Sequence, residues 1–442
     1  MNTDSIGILF LSIFILLFIG IMLFILLNGG KNYVGAYKGF IFGGLLYYGI
    51  VPFIYIVSGK INDLISSGPQ NKGLTDFFLS YLLLILFFVI IDITYKKRNS
   101  HYQKKEVKYG IAPRQLKKRS LYIGFFCLIV GGFSLYLFFR AFGGTLQALA
   151  LTEELLSNST KLSDYIPHQY AILVIPARLI TVAPFLLWST YVLKQGSQWW
   201  LKVLIIVSSV LALLFYLFYA GRAPLIMFIL CLVIPLLYGR IKHLWTIIII
   251  SGFCAIPLLG VLDELFLYLS TGSFELEDMD YLRFLNQFTY PIQNVIYSFD
   301  IANLYGYRFG KDFILDILGF IPGLDFGASY YVTSEFYGGS TWEVTGGTPN
   351  DIITYSILQF SVLGIIIFPI VLGFIFSKID YYLNYFENDR VKRILSTLLA
   401  FNVFLFVGNA DFISVLKGAL LVVVPFVILS SIKRLYEKPI KV

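Results

Sequence analysis

Apolar runs of about 20 residues, long enough for a helix to cross a hydrocarbon core of roughly 30 Å, recur along almost the whole chain. No other feature constrains the fold as much. Of the 442 residues 58% are hydrophobic and only 14% charged, whereas a soluble domain is about a quarter charged. A backbone in lipid must satisfy its own hydrogen bonds, so it spans as helices or as closed barrels. Barrel strands would alternate apolar and polar residues over about ten positions, and these runs are continuous. The expected fold class is all-α, a polytopic membrane protein.

The pattern predicts eleven spans, near residues 6–28, 39–58, 76–95, 121–140, 169–193, 199–219, 223–238, 244–269, 351–376, 394–411 and 412–432. They form one membrane domain over residues 1–442, without a visible repeat. The connection at 96–120 carries Lys96, Lys97, Arg98, Lys104, Lys105, Lys108, Arg114, Lys117, Lys118 and Arg119 against Glu106 alone. Such a bias marks a cytoplasmic loop, and alternation then assigns every other connection. The net charge of +8 therefore follows topology and does not call for a nucleic-acid partner. The N-terminus is expected outside, and its acidic, Lys-free start lacks the basic region of a cleaved signal peptide.

Two outer segments are long, 141–167 and 270–350. Within the second, Asp280 to Asn303 and Lys311 to Phe320 carry apolar residues at helical spacing and are expected as short helices at the interface. Glycine breaks separate them at Gly306, Gly310, Gly323, Gly338–Gly339 and Gly346–Gly347.

Cations are scarce on the outer side. Arg178 falls about ten residues inside a predicted span, where an isolated charge is costly and faces a cavity or a partner. An ion pair with Asp263 or Asp411 would also explain it. Arg222, in Gly221-Arg222-Ala223-Pro224, lies in a tight hairpin with Pro224 in the first turn of the outgoing helix. An arginine beside free helix N–H groups can hold an anion, and a snorkelling arginine would look the same in sequence. After the large loop, Gly346-Gly347-Thr348-Pro349-Asn350-Asp351 reads as a helix start with Thr348 as N-cap and Asp351 as the N3 carboxylate of a capping box. It would present a second positive helix end to the same compartment.

Other chemistry is missing from the sequence. His168 is the single outer histidine, and Walker, Rossmann and HExxH patterns are absent. Glu275, Glu277, Asp278 and Asp280 could hold a divalent cation but read more simply as a solvated acidic face. No metal or cofactor is expected. Cys127, Cys231 and Cys254 all lie in apolar runs and form no disulfide framework.

The order of Gly221-Arg222-Ala223, Tyr290-Pro291-Ile292-Gln293-Asn294, Phe320-Ile321-Pro322-Gly323 and Gly346-Gly347-Thr348-Pro349, leading to Gly364, resembles the Wzy-like polymerases of O-antigen and enterobacterial common antigen. The resemblance extends over roughly residues 160–376. It implies a metal-independent glycosyltransferase in the bacterial cytoplasmic membrane, its site on the external face and its substrates polyprenyl-diphosphate-linked oligosaccharides. It further implies flippase and chain-length-regulator partners. Arginines that meet the diphosphate carry over to Arg222, and then to Arg178 and Arg283. Arg308, Tyr290 and Thr348 join the expected substrate contacts, and Glu343 or Asp351 is the expected base. Some relatives carry a histidine where this chain has Trp342 and Glu343. A flippase, another transporter or a glycan ligase is the alternative reading.

Overall fold

The computed structural model describes residues 3–28, 35–61, 64, 72–104, 113–150, 170, 173–193, 198–220, 222–237, 285, 288–318, 329–337, 350–383 and 389–410. Among the described residues the fold is helical without strands. In chain order the helices are α1 (Thr3–Asn28), α2 (Ala36–Leu45), α3 (Val51–Val57), α4 (Leu74–Lys104), α5 (Pro113–Ala141) and α6 (Thr145–Ala150). There follow α7 (Val174–Ala177), α8 (Ala183–Leu193), α9 (Trp199–Phe215), α10 (Arg222–Leu237), α11 (Tyr290–Tyr305) and α12 (Lys311–Leu318). The last are α13 (Ser329–Phe336), α14 (Ile352–Phe360), α15 (Gly364–Leu383) and α16 (Asp389–Gly408).

Eight stretches among the described residues are long and apolar enough to cross a membrane: Gly7–Leu27, Ala36–Val57, Leu74–Tyr102, Leu116–Ala141, Val174–Leu193, Trp199–Phe218, Ile352–Leu383 and Arg390–Gly408. The chain is thus a polytopic, membrane-embedded protein. These eight coincide with eight of the eleven predicted spans. The predicted 223–238 span is α10, 16 residues long, and 244–269 and 412–432 lie outside the described residues. The basic connection at 96–120 is shorter than its charges suggest, because α4 runs on to Lys104 and α5 begins at Pro113. Lys, Arg and Gln are good helix formers, so nothing stops the helices where they leave the apolar run.

Two clusters of buried apolar side chains share α16. Ala400, Phe404 and Val407 belong to the first, which is built on α1, α2, α4, α11, α14 and α15. Leu395, Leu398 and Phe401 belong to the second, built on α5, α8, α9 and α10. Glycines let α2 approach α16: a Cβ on Gly39 would stand 2.3 Å from the Ala400 carbonyl oxygen, and one on Gly43 2.8 Å from Val407. This is the small-xxx-small spacing that brings membrane helices into backbone contact. Gly373 does the same for α15 against Ile91 and Thr94 of α4. At one end of the bundle the Asp380 carboxylate, 2% exposed, accepts from the Ala36 N–H at 3.1 Å and from the Tyr95 hydroxyl at 2.7 Å, so α15 supplies the cap for α2.

Three predicted spans are interrupted along their length, and a fourth, 199–219, ends in the π segment Tyr216–Ala220. The second contains a π-helical segment, Leu46–Ile50, between α2 and α3. In the fifth a 3-10 turn, Arg178–Thr181, separates α7 from α8. Pro176 and Pro184 flank that turn, and Pro184 cannot donate to a carbonyl one turn back. The predicted span 351–376 is two helices joined by the 3-10 turn Ser361–Leu363. In a straight helix residues eight apart are about 12 Å apart, yet a Cβ on Gly364 would stand 1.9 Å from the Ser356 carbonyl oxygen. The chain bends sharply there, with Ser361 at φ 55°. Of the two expected short helices, α12 covers Lys311–Leu318 and α11 begins at Tyr290, ten residues after the expected start at Asp280. However, α11 is not a surface helix: Ile292, Asn294, Val295, Tyr297, Ser298 and Ile301 are all buried, packed on α14 and on Leu46–Ile50.

Candidate functional site

Asp351 is the residue on which the most polar contacts converge. The expected capping box placed it inside the first turn; instead it is itself the N-cap of α14, with extended backbone at φ −79°, ψ 165°. One oxygen, Oδ1, accepts from the N–H groups of Ile353 at 2.9 Å and Thr354 at 3.2 Å and from the Tyr48 hydroxyl at 2.8 Å. Two N–H groups of this helix start are thus taken by a carboxylate of the chain itself. The other oxygen, Oδ2, is buried and has no hydrogen bond of ordinary geometry among the described residues, with the Thr354 hydroxyl beside the carboxylate. A buried carboxylate oxygen in that state is expensive to keep unless something else uses it.

Tyr48 bonds this carboxylate and Tyr337 lies near it, while Tyr47 and Tyr290 lie near Tyr48. Tyr48 and Tyr47 project from the π segment, whose extra residue per turn rotates the side chains that follow it. The Tyr48 carbonyl accepts from the Tyr81 hydroxyl at 2.6 Å, fixing the segment to α4. Tyr290, at the start of α11, meets Tyr47 at the end of α16, where a Cβ on Gly408 would be 2.8 Å from the Tyr290 hydroxyl and 2.9 Å from the Tyr47 ring. Glycine is needed there for that reason. Tyr337 follows α13 and lies near Asp351, Asp300 and Tyr297; burial first, then those neighbours, push its phenol above the ordinary range, so it keeps its proton. Lys72 forms an ion pair with Asp300 at 2.5 Å and lies 5.7 Å from the Tyr297 ring centre. The Ala410 N–H donates to the Asn350 carbonyl at 2.7 Å, tying the end of α16 to the start of α14.

A second group lies across α16. Arg178 opens the 3-10 turn, half-buried, and its carbonyl accepts from the Thr181 hydroxyl at 2.8 Å. Its guanidinium and the Thr181 hydroxyl both interact with Tyr216. Tyr216 begins the second π segment, Tyr216–Ala220, and α10 starts two positions on, at Arg222. Pro224 falls in the first turn of α10, as expected. Tyr216 contacts Phe401 edge to face at 6.1 Å, and Tyr47 stacks on Phe404 at 5.7 Å. Phe401 and Phe404 are neighbours one turn apart, about 4.5 Å along the axis. Both π segments, and with them Asp351 and Arg178, therefore stand at one level of the bundle on two sides of the same helix.

The remaining expected site residues divide. Tyr290 is in the tyrosine group. Arg308 is not: it lies in the turn after α11, where its N–H donates to the Leu358 carbonyl at the far end of α14. Arg283, Glu343 and Thr348 lie outside the described residues, as do Asp263, Asp411, His168 and the acidic stretch Glu275–Asp280. Sequence reasoning missed Tyr48, Lys72, Asp300 and Tyr337. Tyr48 carried a faint signal in the Tyr-Tyr-Gly within a span; Lys72 and Asp300 carried none, being 228 residues apart. Among the described residues no group of three or more potential metal ligands occurs. No family model, curated protein or solved structure matches the chain.

Proposed function

We propose that the chain is a glycosyltransferase of the bacterial cytoplasmic membrane that joins polyprenyl-diphosphate-linked oligosaccharide units into a surface polysaccharide at the external face. The observation that carries this reading is the buried Oδ2 of Asp351, left over after Oδ1 has taken three donors, at the level of Arg178 and the start of α10. The order of motifs around the large loop supports it from the sequence side.

Breaking a sugar–diphosphate bond develops negative charge on the leaving group. The catalyst must hold fixed positive charge there and position the attacking hydroxyl. In this reading Arg222 and Arg178 meet the diphosphate, with the α10 N-terminus beside them. An acceptor sugar hydroxyl attacks the anomeric carbon, the bond to the diphosphate breaks, and the electron pair leaves with the phosphate oxygen. The hydroxyl proton passes to Asp351 Oδ2. Tyr48, through Oδ1, keeps the carboxylate oriented, and Tyr47, Tyr290 and Tyr337 offer faces and hydroxyls to sugar rings. Arginine chemistry of this kind needs no metal. Flippase and chain-length-regulator proteins are the partners such a reaction calls for.

The bend at Ser361–Leu363 and a buried carboxylate in a membrane bundle favour one other reading, a transporter or flippase of lipid-linked oligosaccharides. A glycan ligase would differ from the polymerase in its acceptor alone. Purified protein given a polyprenyl-diphosphate oligosaccharide separates these: a polymerase makes new glycosidic bonds between units, a flippase moves the lipid without making any.

A further inference from the structure

The turn after α11 and the bend between α14 and α15 meet in space. Arg308 N–H donates to the Leu358 carbonyl at 2.8 Å, Phe309 N–H to the Gln359 carbonyl at 2.9 Å, and Gly310 N–H to Gln359 Oε1 at 3.1 Å. Gln359 Nε2 in turn donates to Asp312 Oδ2 at 2.6 Å. The carbonyls that a helix C-terminus leaves unpaired are thus filled by a second piece of chain. Among the described residues two non-glycine residues have positive φ, Phe309 at 48° and Ser361 at 55°. Both belong to this meeting point.

Apart from the exposed Lys311 its outer surface is apolar. Leu304, Phe309, Ile314, Val362 and Leu363 are 67%, 73%, 63%, 50% and 64% exposed. Positions 362 and 363 also begin a stripe that continues down α15 through Ile366, Ile367, Ile370 and Val371, each exposed. The spacing puts Ile366, Ile367, Ile370 and Val371 on one face of α15, within a stretch long and apolar enough to span, and Val362 and Leu363 of the turn lead into it.

Depth follows from α15. The charge-free stretch from Ser361 to Ser377 rises about 24 Å before Lys378, less than the roughly 30 Å of a hydrocarbon core, so the bend falls inside it. Phe313 of α12 stacks on Phe368 with ring centres 6.1 Å apart. Phe368 is four residues, about 6 Å, inside the start of α15 and twelve residues, about 18 Å, from Asp380. A residue packed at that level is beside hydrocarbon, and Ile314 is next to it in sequence. Non-helical backbone survives at such depth when its N–H and C=O groups are paired within the protein, and here the N–H groups of Arg308, Phe309 and Gly310 and the carbonyls of Leu358 and Gln359 are.

We infer that residues 304–314 and the bend at 361–363 form one re-entrant element whose outer face is covered by the hydrocarbon of the bilayer. Leu304, Phe309, Ile314, Val362 and Leu363 continue the lipid-facing stripe of α15, and the exposed Lys311 reaches the headgroups along its own stem. Part of the long segment 270–350 is then inside the membrane and not in water. The inference stands apart from the proposed reaction.

Nitroxide labels test it on the full chain in phosphatidylcholine vesicles, with Cys127, Cys231 and Cys254 changed to alanine. Labels at Phe309→Cys, Ile314→Cys and Leu363→Cys are compared with Ile370→Cys, on the lipid face, and Ser58→Cys, at the exposed end of α3. The expected result is collision with dissolved oxygen in preference to a water-soluble nickel chelate at all three sites, matching Ile370→Cys. Nickel preference matching Ser58→Cys would overturn the inference, as would protection from both reagents, which would mean that protein covers the face. Should the cysteine variants misfold, a membrane-dissolved carbene reagent applied to the unaltered protein must label 304–314; labelling of α15 without that segment would overturn it equally.

Discussion

The Tyr48 hydroxyl donates to Asp351 Oδ1 over 2.8 Å, joining the π segment of the second span to the cap of α14 across 303 positions of sequence. The same oxygen caps the helix, so one carboxylate holds both ends of the contact. Charge and capping can be separated by mutation. Asn caps about as well as Asp, so Asp351→Asn should unfold within about 1 kcal/mol of the unaltered protein. It should nevertheless lose roughly 10²- to 10⁴-fold in turnover, the usual range for a positioned base. Asp351→Ala should lose about 1 kcal/mol for the cap and a further ~1–3 kcal/mol for the stranded Tyr48 hydroxyl. Thermal unfolding in detergent beside a glycan-ladder assay checks both.

Tyr48→Phe removes the cross-chain bond and leaves the helix cap in place. The expected cost is about 1 kcal/mol in stability. Turnover should fall more than that, because the carboxylate loses the contact that orients it. Equal turnover in the two proteins would assign Tyr48 to packing alone.

The arginine prediction concerns the other side of α16. α10 begins at Arg222, two positions after the π segment ends at Ala220. A guanidinium offers a fork of donors to a diphosphate that an ammonium cannot reproduce. Arg222→Ala should lose on the order of 10² to 10³ in rate and Arg222→Lys most of that, with folding and insertion intact. Near-normal ladders from a well-expressed Arg222→Ala protein would move the diphosphate to Arg178 or Arg283.

What could be read from the sequence follows from what is local. A span is written in a window of about 20 residues, so eight spans were found where the structure has helices long enough to cross. Interruptions are not local. The bend before Gly364 depends on Ser356 eight residues away, and on the turn at 306–310 that pairs with the end of α14. The start of α14 was read three residues early, since Thr348-Pro349 is a good sequence signal and the carboxylate that caps the helix is Asp351. Arg178 was legible as a charge out of place; that it shares Tyr216 with the second π segment was not. Lys72 and Asp300 meet only because α11 packs inside the bundle.

The α2–α16 crossing should be intolerant of side chains. A Cβ on Gly39 would fall 2.3 Å from backbone, where no rotamer can relieve it. Gly39→Ala should cost about 1–3 kcal/mol, in the range of other overpacked sites. Gly20→Ala meets nothing within 4 Å and serves as the control. Equal unfolding temperatures for the two variants would mean that the helices do not approach as described.

If arginine and the helix start meet the charge of the diphosphate as proposed, turnover should survive chelation. Loss of activity in EDTA, restored by Mg²⁺ or Mn²⁺, would instead promote the acidic residues Glu275, Glu277, Asp278 and Asp280 to a metal site.

The central claim is tested most directly by giving the purified, reconstituted protein a polyprenyl-diphosphate oligosaccharide and separating the products by size, with the Asp351→Asn protein run alongside. The account predicts a ladder of products spaced by one repeat unit from the unaltered protein and almost none from Asp351→Asn. Movement of the lipid across the membrane without any new glycosidic bond, in both proteins, would contradict it.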